Sequence, residues 1–213
     1  MKKNNKLMIL TTLVCLCPIV LSLFMYNKLP DRIAIHFDAA GNPNGYAPKA
    51  FAIFGLPVIM AIVNLFGIFV LNNDPKKANS SEVLKLVGIW TAPILSVILT
   101  PVTLFKSMGV NIPINLIIIP LAGIIFMICG NYFPKCKQNY TVGIKLPWTL
   151  NNEDNWNKTH HMAGYLWIIG GFIITLSAFL NSYTSFIIMM VVLVIMILIP
   201  SIYSYLLFRK NHN

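Results

Sequence analysis

The sequence predicts an all-α membrane protein with six transmembrane helices, both termini in the cytoplasm, a small outward-facing loop cap and a structured cytoplasmic loop. Three observations lead there. Of 213 residues, 57% are hydrophobic and only 10% charged, against about 25% charged in a typical soluble domain. The apolar residues gather into six runs, 7–26, 50–71, 86–105, 113–129, 162–180 and 185–208, each near the roughly 20 residues that cross a bilayer as a helix. The basic residues crowd beside alternate run ends, which is how orientation in a membrane is encoded.

None of the six runs contains Asp, Glu, Lys or Arg, and all six acids (Asp31, Asp38, Asp74, Glu82, Glu153 and Asp154) lie outside them. The runs are too continuously apolar for the alternating strands of a membrane barrel. The first follows Lys2, Lys3 and Lys6 in the manner of a signal peptide. Its apolar part of 20 residues exceeds the usual signal core, and no small-x-small cleavage site follows, so it reads as a retained first helix.

Between the first two runs lies the loop 27–49. In it Ile33, Ile35 and Phe37 alternate with Arg32, Ala34, His36 and Asp38, the period of a short strand with one apolar face. Residues 39–46 (A-A-G-N-P-N-G-Y) are turn formers, so the loop should close into a compact cap packed on the membrane face. His36 and Asp38 would share one strand face. Two side chains are too few for a metal site, and a polar edge hydrogen-bonded within the cap is the expectation.

In the second run Asn64 stands out as a polar group expected to bond a neighbouring helix. Prolines 18, 57, 93, 101, 120 and 200 interrupt the runs and are read as kinks. Cys15, Cys17 and Cys129 lie in or at the edge of runs and Cys136 in a cytoplasmic loop; they read as small apolar fillers without a disulfide framework.

The loop 131–161 precedes the fifth run. Tyr140, Val142, Ile144 and Leu146 alternate as an extended piece, Gly143 permits close backbone approach, and Pro147 ends it. Asn151 or Asn152 can cap a helix whose first turn holds Glu153 and Asp154, where the helix dipole favours acids. Trp156, His160 and Trp167 fall on one stripe of that helix, which should continue into the fifth span. Trp148, Trp156 and Tyr165 could also serve only as interface anchors.

Orientation follows from counting. One side carries Lys2, Lys3, Lys6, Lys76, Lys77, Lys85, Lys135, Lys137, Lys145, Lys158, Arg209 and Lys210, twelve in all; the other carries Lys28, Arg32, Lys49 and Lys106, which is four. The richer side is cytoplasmic. The net charge of +10 is therefore a topology signal, and direct nucleic-acid binding is not expected. A transporter is the alternative weighed, but transporters keep ionisable groups within their spans, and these runs hold no Asp, Glu, Lys or Arg. No catalytic, metal or cofactor site is expected either. His160 and His161 diverge around a helix, and no nucleophile–base pair lies within the runs.

The stretch G-N-Y-F-P-K, N-Y-T-V-G-I-K-L-P-W-T-L, then W-x-K-T-H-x-x-A-G, from residue 130 onward, resembles the signature of the SdpI family of bacterial membrane immunity and signalling proteins. The outer segment L-P-D-R-I-A-I-H-F-D-x-x-G-N-P-N-G-Y-x-x-K resembles the small domain of unknown function that commonly precedes that signature. Lys145-Leu146 stands where the family often has Arg-Thr, and His161 where Arg is common. The resemblance divides the chain into residues 1–71, 72–129 and 130–213. It implies a place in the bacterial inner membrane and protection against a secreted membrane-active peptide or protein toxin. It also implies signalling, in which the protein holds a cytoplasmic helix-turn-helix repressor at the membrane. On that basis the candidate toxin-facing residues are His36, Asp38, Asn42, Tyr46 and Lys49. The candidate partner-facing residues are Asn139, Tyr140, Gly143, Lys145, Pro147, Trp148, Thr149, Trp156 and His160. Trp148, placed after Pro147, is expected to project its indole. The basic inner loop would meet an acidic partner or anionic lipid heads.

Overall fold

The computed structural model describes residues 2–210. Its helices are α1 (Lys2–Leu16), α2 (Pro18–Phe24), α3 (Leu56–Asn73), α4 (Glu82–Ser107), α5 (Asn115–Tyr132), α6 (Pro147–Asn151), α7 (Glu153–Ser177) and α8 (Ser182–Lys210); its strands are β1 (Arg32–Phe37) and β2 (Pro43–Pro48). Five stretches are long and apolar enough to span a bilayer: Asn5–Phe24, Phe51–Asn73, Glu82–Ser107, Asn115–Lys135 and Ser182–Lys210. The chain is thus a predominantly helical membrane protein. The predicted fifth run, 162–180, lies mostly in α7. That helix has 25 residues, but its polar opening turns keep it out of this group of five.

The chain forms two compact units. The first comprises the residues up to Val70 together with Gly88–Ile114. There α1 stops at Leu16, and Pro18, whose ring cannot donate to the preceding turn, opens α2. A π-helical turn, Phe51–Gly55, precedes α3, whose second residue is Pro57; a missing N–H at this point is well served by a wider turn. Asn64 binds neighbouring helices as expected, accepting from Thr11 Oγ1 at 2.9 Å and donating to the Ile89 carbonyl at 2.6 Å. Ser96 donates to the Cys15 carbonyl at 2.7 Å. Each of these polar groups is buried, and each is satisfied by a partner helix.

The second unit comprises Leu71–Val87 and the residues from Asn115 onward. Its centre is the packing of α5 on α7. A Cβ on Gly130 would lie 2.7 Å from the Gly164 carbonyl oxygen, and one on Gly171 would lie 2.5 Å from that of Gly123. Glycines seven apart on each helix, meeting in reverse order, define an antiparallel seam where the backbones touch. On its other side α7 meets α8: Trp167 Nε1 donates to the Met196 carbonyl at 3.2 Å, and Asn155 and Ser204 exchange hydrogen bonds of 2.8 and 2.5 Å.

Candidate functional site

Two places collect the residues singled out in the sequence. The first is the cap. β1 and β2 pair antiparallel, Ile33 opposite Ala47 and Ala34 opposite Tyr46, with irregular register around His36. The predicted strand is present, but two expectations change. The turn run 39–46 is shorter than it reads, because Pro43–Tyr46 belong to β2. Asp38 does not share a strand face with His36: it sits in the turn, where its Oδ1 accepts the backbone N–H groups of Ala40 and Asn42 at 2.9 and 2.8 Å. Gly41, at φ 82°, supplies the left-handed step. A self-capping Asp and a left-handed Gly close the turn within five residues, which frees the following ones to pair.

The cap is anchored by Leu29, Ile33, Ala52, Ile53 and Leu104, all buried together, and by Ser107 Oγ, which accepts the Ala34 N–H at 2.9 Å. His36, Asp38, Asn42 and Tyr46 are exposed. His36 pairs with Asn44 Oδ1 at 2.6 Å, the polar edge expected. Lys49 is half-buried between Asp31, at 3.4 Å, and the Tyr26 ring, so it holds the base of the cap.

The second place is the loop ahead of α7. Its tightest node is His160, fully buried and stacked on Trp156 with ring centroids 4.0 Å apart. His160 Nδ1 lies 2.8 Å from the Trp156 carbonyl and Nε2 lies 2.8 Å from the Ile144 N–H. One nitrogen must donate and the other accept, which defines a neutral imidazole protonated at Nδ1. Burial pushes its pKa down to about 4, against the smaller upward pull of the Trp156 carbonyl. Gly143, at φ 116°, lies directly over this pair: a Cβ there would strike His160 Nε2 and meet the Trp156 ring at 3.0 Å.

The other signature residues build the frame around that node. Asn139, fully buried, accepts the N–H groups of Thr141 and Val142 at 3.0 and 2.7 Å. Thr149, in the first turn of α6, accepts the Leu146 N–H at 2.8 Å, and Pro147 begins that helix. Trp156 Nε1 donates to the Cys136 carbonyl at 2.7 Å, and burial pushes the Cys136 thiol pKa up. As predicted, Asn152 caps α7, accepting from Asn155 N at 2.9 Å, with Glu153 and Asp154 in the first turn.

Three expectations are corrected in this loop. The alternation 140–146 is not a strand: the Asn139 cap and the positive φ of Gly143 coil the chain, turning Val142 and Ile144 onto the cluster of Leu84, Phe133, Cys136, Trp156 and Ala163 while Tyr140 stays exposed. Trp156 is no interface anchor, being wholly buried. Trp148 does not project: its ring packs against Tyr205 and Phe208 of α8 at 5.4 and 6.1 Å between centroids. Its Nε1 is buried and meets no acceptor among the described residues.

Sequence reading passed over Asp74. Its Oδ2 accepts from Thr141 Oγ1 at 2.6 Å and Tyr140 N at 3.0 Å, and its Oδ1 from Lys76 N at 2.7 Å. Burial alone would raise this carboxyl, but the hydrogen bonds from Thr141, Lys76 and Tyr140 prevail and hold it below the usual carboxylate range. Gln138 was passed over too. Its Nε2 donates to the carbonyls of Thr149 and Leu150, each at 2.9 Å, and its own carbonyl accepts from Asn79 Nδ2 at 2.9 Å. The only sequence signal was a lone acid beside a span end. The loop's structure thus depends on the connection between α3 and α4.

A helical membrane protein with a small β-hairpin cap in one unit and a cross-linked polar loop in the other is the class these features define. The family comparison makes it specific. Residues 135–204 match the SdpI/YfhL protein family, and residues 13–61 match a domain of unknown function, DUF1648. The Immunity protein SdpI of Bacillus subtilis (strain 168) is 31% identical over 211 residues, 99% of this chain and 98% of that protein. The chain belongs to the SdpI family. No solved structure matches it.

Proposed function

We propose that this is an integral membrane immunity protein that protects its cell from a secreted membrane-active toxin. The observation that carries the reading is the end-to-end likeness to the Immunity protein SdpI, which spans both the cap and the signature loop. In this reading the protein works by binding and not by catalysis, and it crosses the inner membrane six times with both termini inside. The cap faces outward and presents His36, Asp38, Asn42 and Tyr46 to the toxin. The loop faces the cytoplasm and holds a helix-turn-helix repressor at the membrane. The asymmetry of twelve basic residues to four supports that orientation.

The test is survival of cells challenged with the toxin of a strain that kills them. Expression of the chain should restore growth, and Asp38→Ala or Tyr46→Ala should weaken protection at equal protein abundance. Unchanged killing of cells that carry the protein in their membranes would overturn the reading.

A further inference from the structure

We propose that Tyr140, with Lys76 beside its ring and Lys137 on the same loop, forms a preorganised docking surface for a protein partner with an acidic face. The proposal rests on the reading that this loop handles a cytoplasmic partner, and it supplies the residues and the partner's chemistry. Tyr140 is 49% exposed although its backbone is pinned on both sides. Its N–H is held by Asp74, Asn139 before it is buried, and Thr141 after it donates to the same carboxylate. Lys76 Nζ is bound to Gln138 Oε1 at 2.6 Å and stands 5.5 Å from the Tyr140 ring centroid, so the cation and the aromatic ring are presented together. Lys137 is exposed on the segment that this frame joins to the α3–α4 connection, through the 3.2 Å bond from Lys137 N to the Asn79 carbonyl, while Lys77 Nζ is held by the Asn72 carbonyl at 3.2 Å.

Charge sets the sign of the partner. Of the four acids in this unit, Asp74 is buried and engaged by the loop itself, Glu82 pairs with Lys85, Asp154 pairs with Lys158, and Glu153 sits exposed in the first turn of α7. Among the described residues no ion pair involves Lys76, Lys77, Lys137 or Lys145. A lipid surface needs only mobile positive charge. A rigid aromatic side chain beside an oriented cation suits a protein interface, because the ordering cost of binding has already been met. Trp148, the other aromatic residue expected to serve here, is packed on α8.

The full chain in phosphatidylcholine nanodiscs, titrated with a fluorescein-labelled glutamate-rich peptide, tests the surface. Tyr140→Ala and Lys137→Glu should each weaken binding about tenfold, whereas Tyr140→Phe and Lys158→Glu should stay within about twofold. No binding by the unaltered protein, or equal weakening by all four variants, overturns the proposal. So does loss of peptide binding when phosphatidylglycerol replaces part of the disc lipid, which would make the surface a lipid site. Toxin survival is scored separately on the unaltered protein, so failure of the immunity reading leaves the peptide result standing.

Discussion

Three tryptophans in and after the signature loop look alike in the sequence and are used differently. Trp156 and Trp167 each give their indole N–H to a backbone carbonyl, whereas Trp148 fills an aromatic notch without an acceptor among the described residues. The stripe Trp156, His160, Trp167 was legible from helical spacing, but the acceptors were not, because they belong to other segments. His160 gives the sharpest prediction at this scale. Its folded pKa of about 4 lies below the ordinary 6.5, so between those values the unfolded chain binds more protons. The stabilisation it provides is complete above pH 6.5 and is lost as pH falls toward 4, a change of about 3 kcal/mol at ~1.4 kcal/mol per unit. His160→Gln can keep an acceptor for Ile144 N–H but cannot titrate. It should cost about 1 kcal/mol at neutral pH and flatten the acid dependence. Thermal unfolding of the detergent-solubilised protein at pH 7 and pH 4.5 measures both; identical acid losses in the two proteins would show that His160 is not the neutral node.

Helices account for most of what could be anticipated. Hydropathy marked all five stretches long and apolar enough to span, and the cap of α7 followed from Asn151 or Asn152 ahead of Glu153 and Asp154, because capping is a contact within one turn. The alternation that suggested a strand at 140–146 misled, since one buried Asn side chain took the N–H groups a strand would have used. The glycine seam was not read from the sequence either, although Gly123 and Gly130, and again Gly164 and Gly171, lie seven apart. Contact between two backbones requires both helices. Gly130→Ala would push its Cβ against backbone atoms of α7, which cannot give way, and should destabilise by about 2 kcal/mol. Gly67→Ala, where nothing lies within 4 Å, should be neutral or slightly stabilising. Melting temperatures of the two variants decide it: equal values would refute the seam as a close contact.

For the molecule as a whole, the charge asymmetry makes a topological prediction. On a cysteine-free background, a cysteine at position 42 should react with an impermeant reagent on intact cells and one at position 152 should not; the reverse pattern would invert the two surfaces. Membrane residence was open to sequence reading because hydropathy is a sum along the chain, insensitive to how helices pack. Tertiary structure alone decided which distant polar residues meet. Asp74 and Thr141 are 67 residues apart, and Asn155 and Ser204 are 49 apart. A buried donor or acceptor must find a partner wherever the folded chain places one, and the choice among distant candidates is made by helix packing.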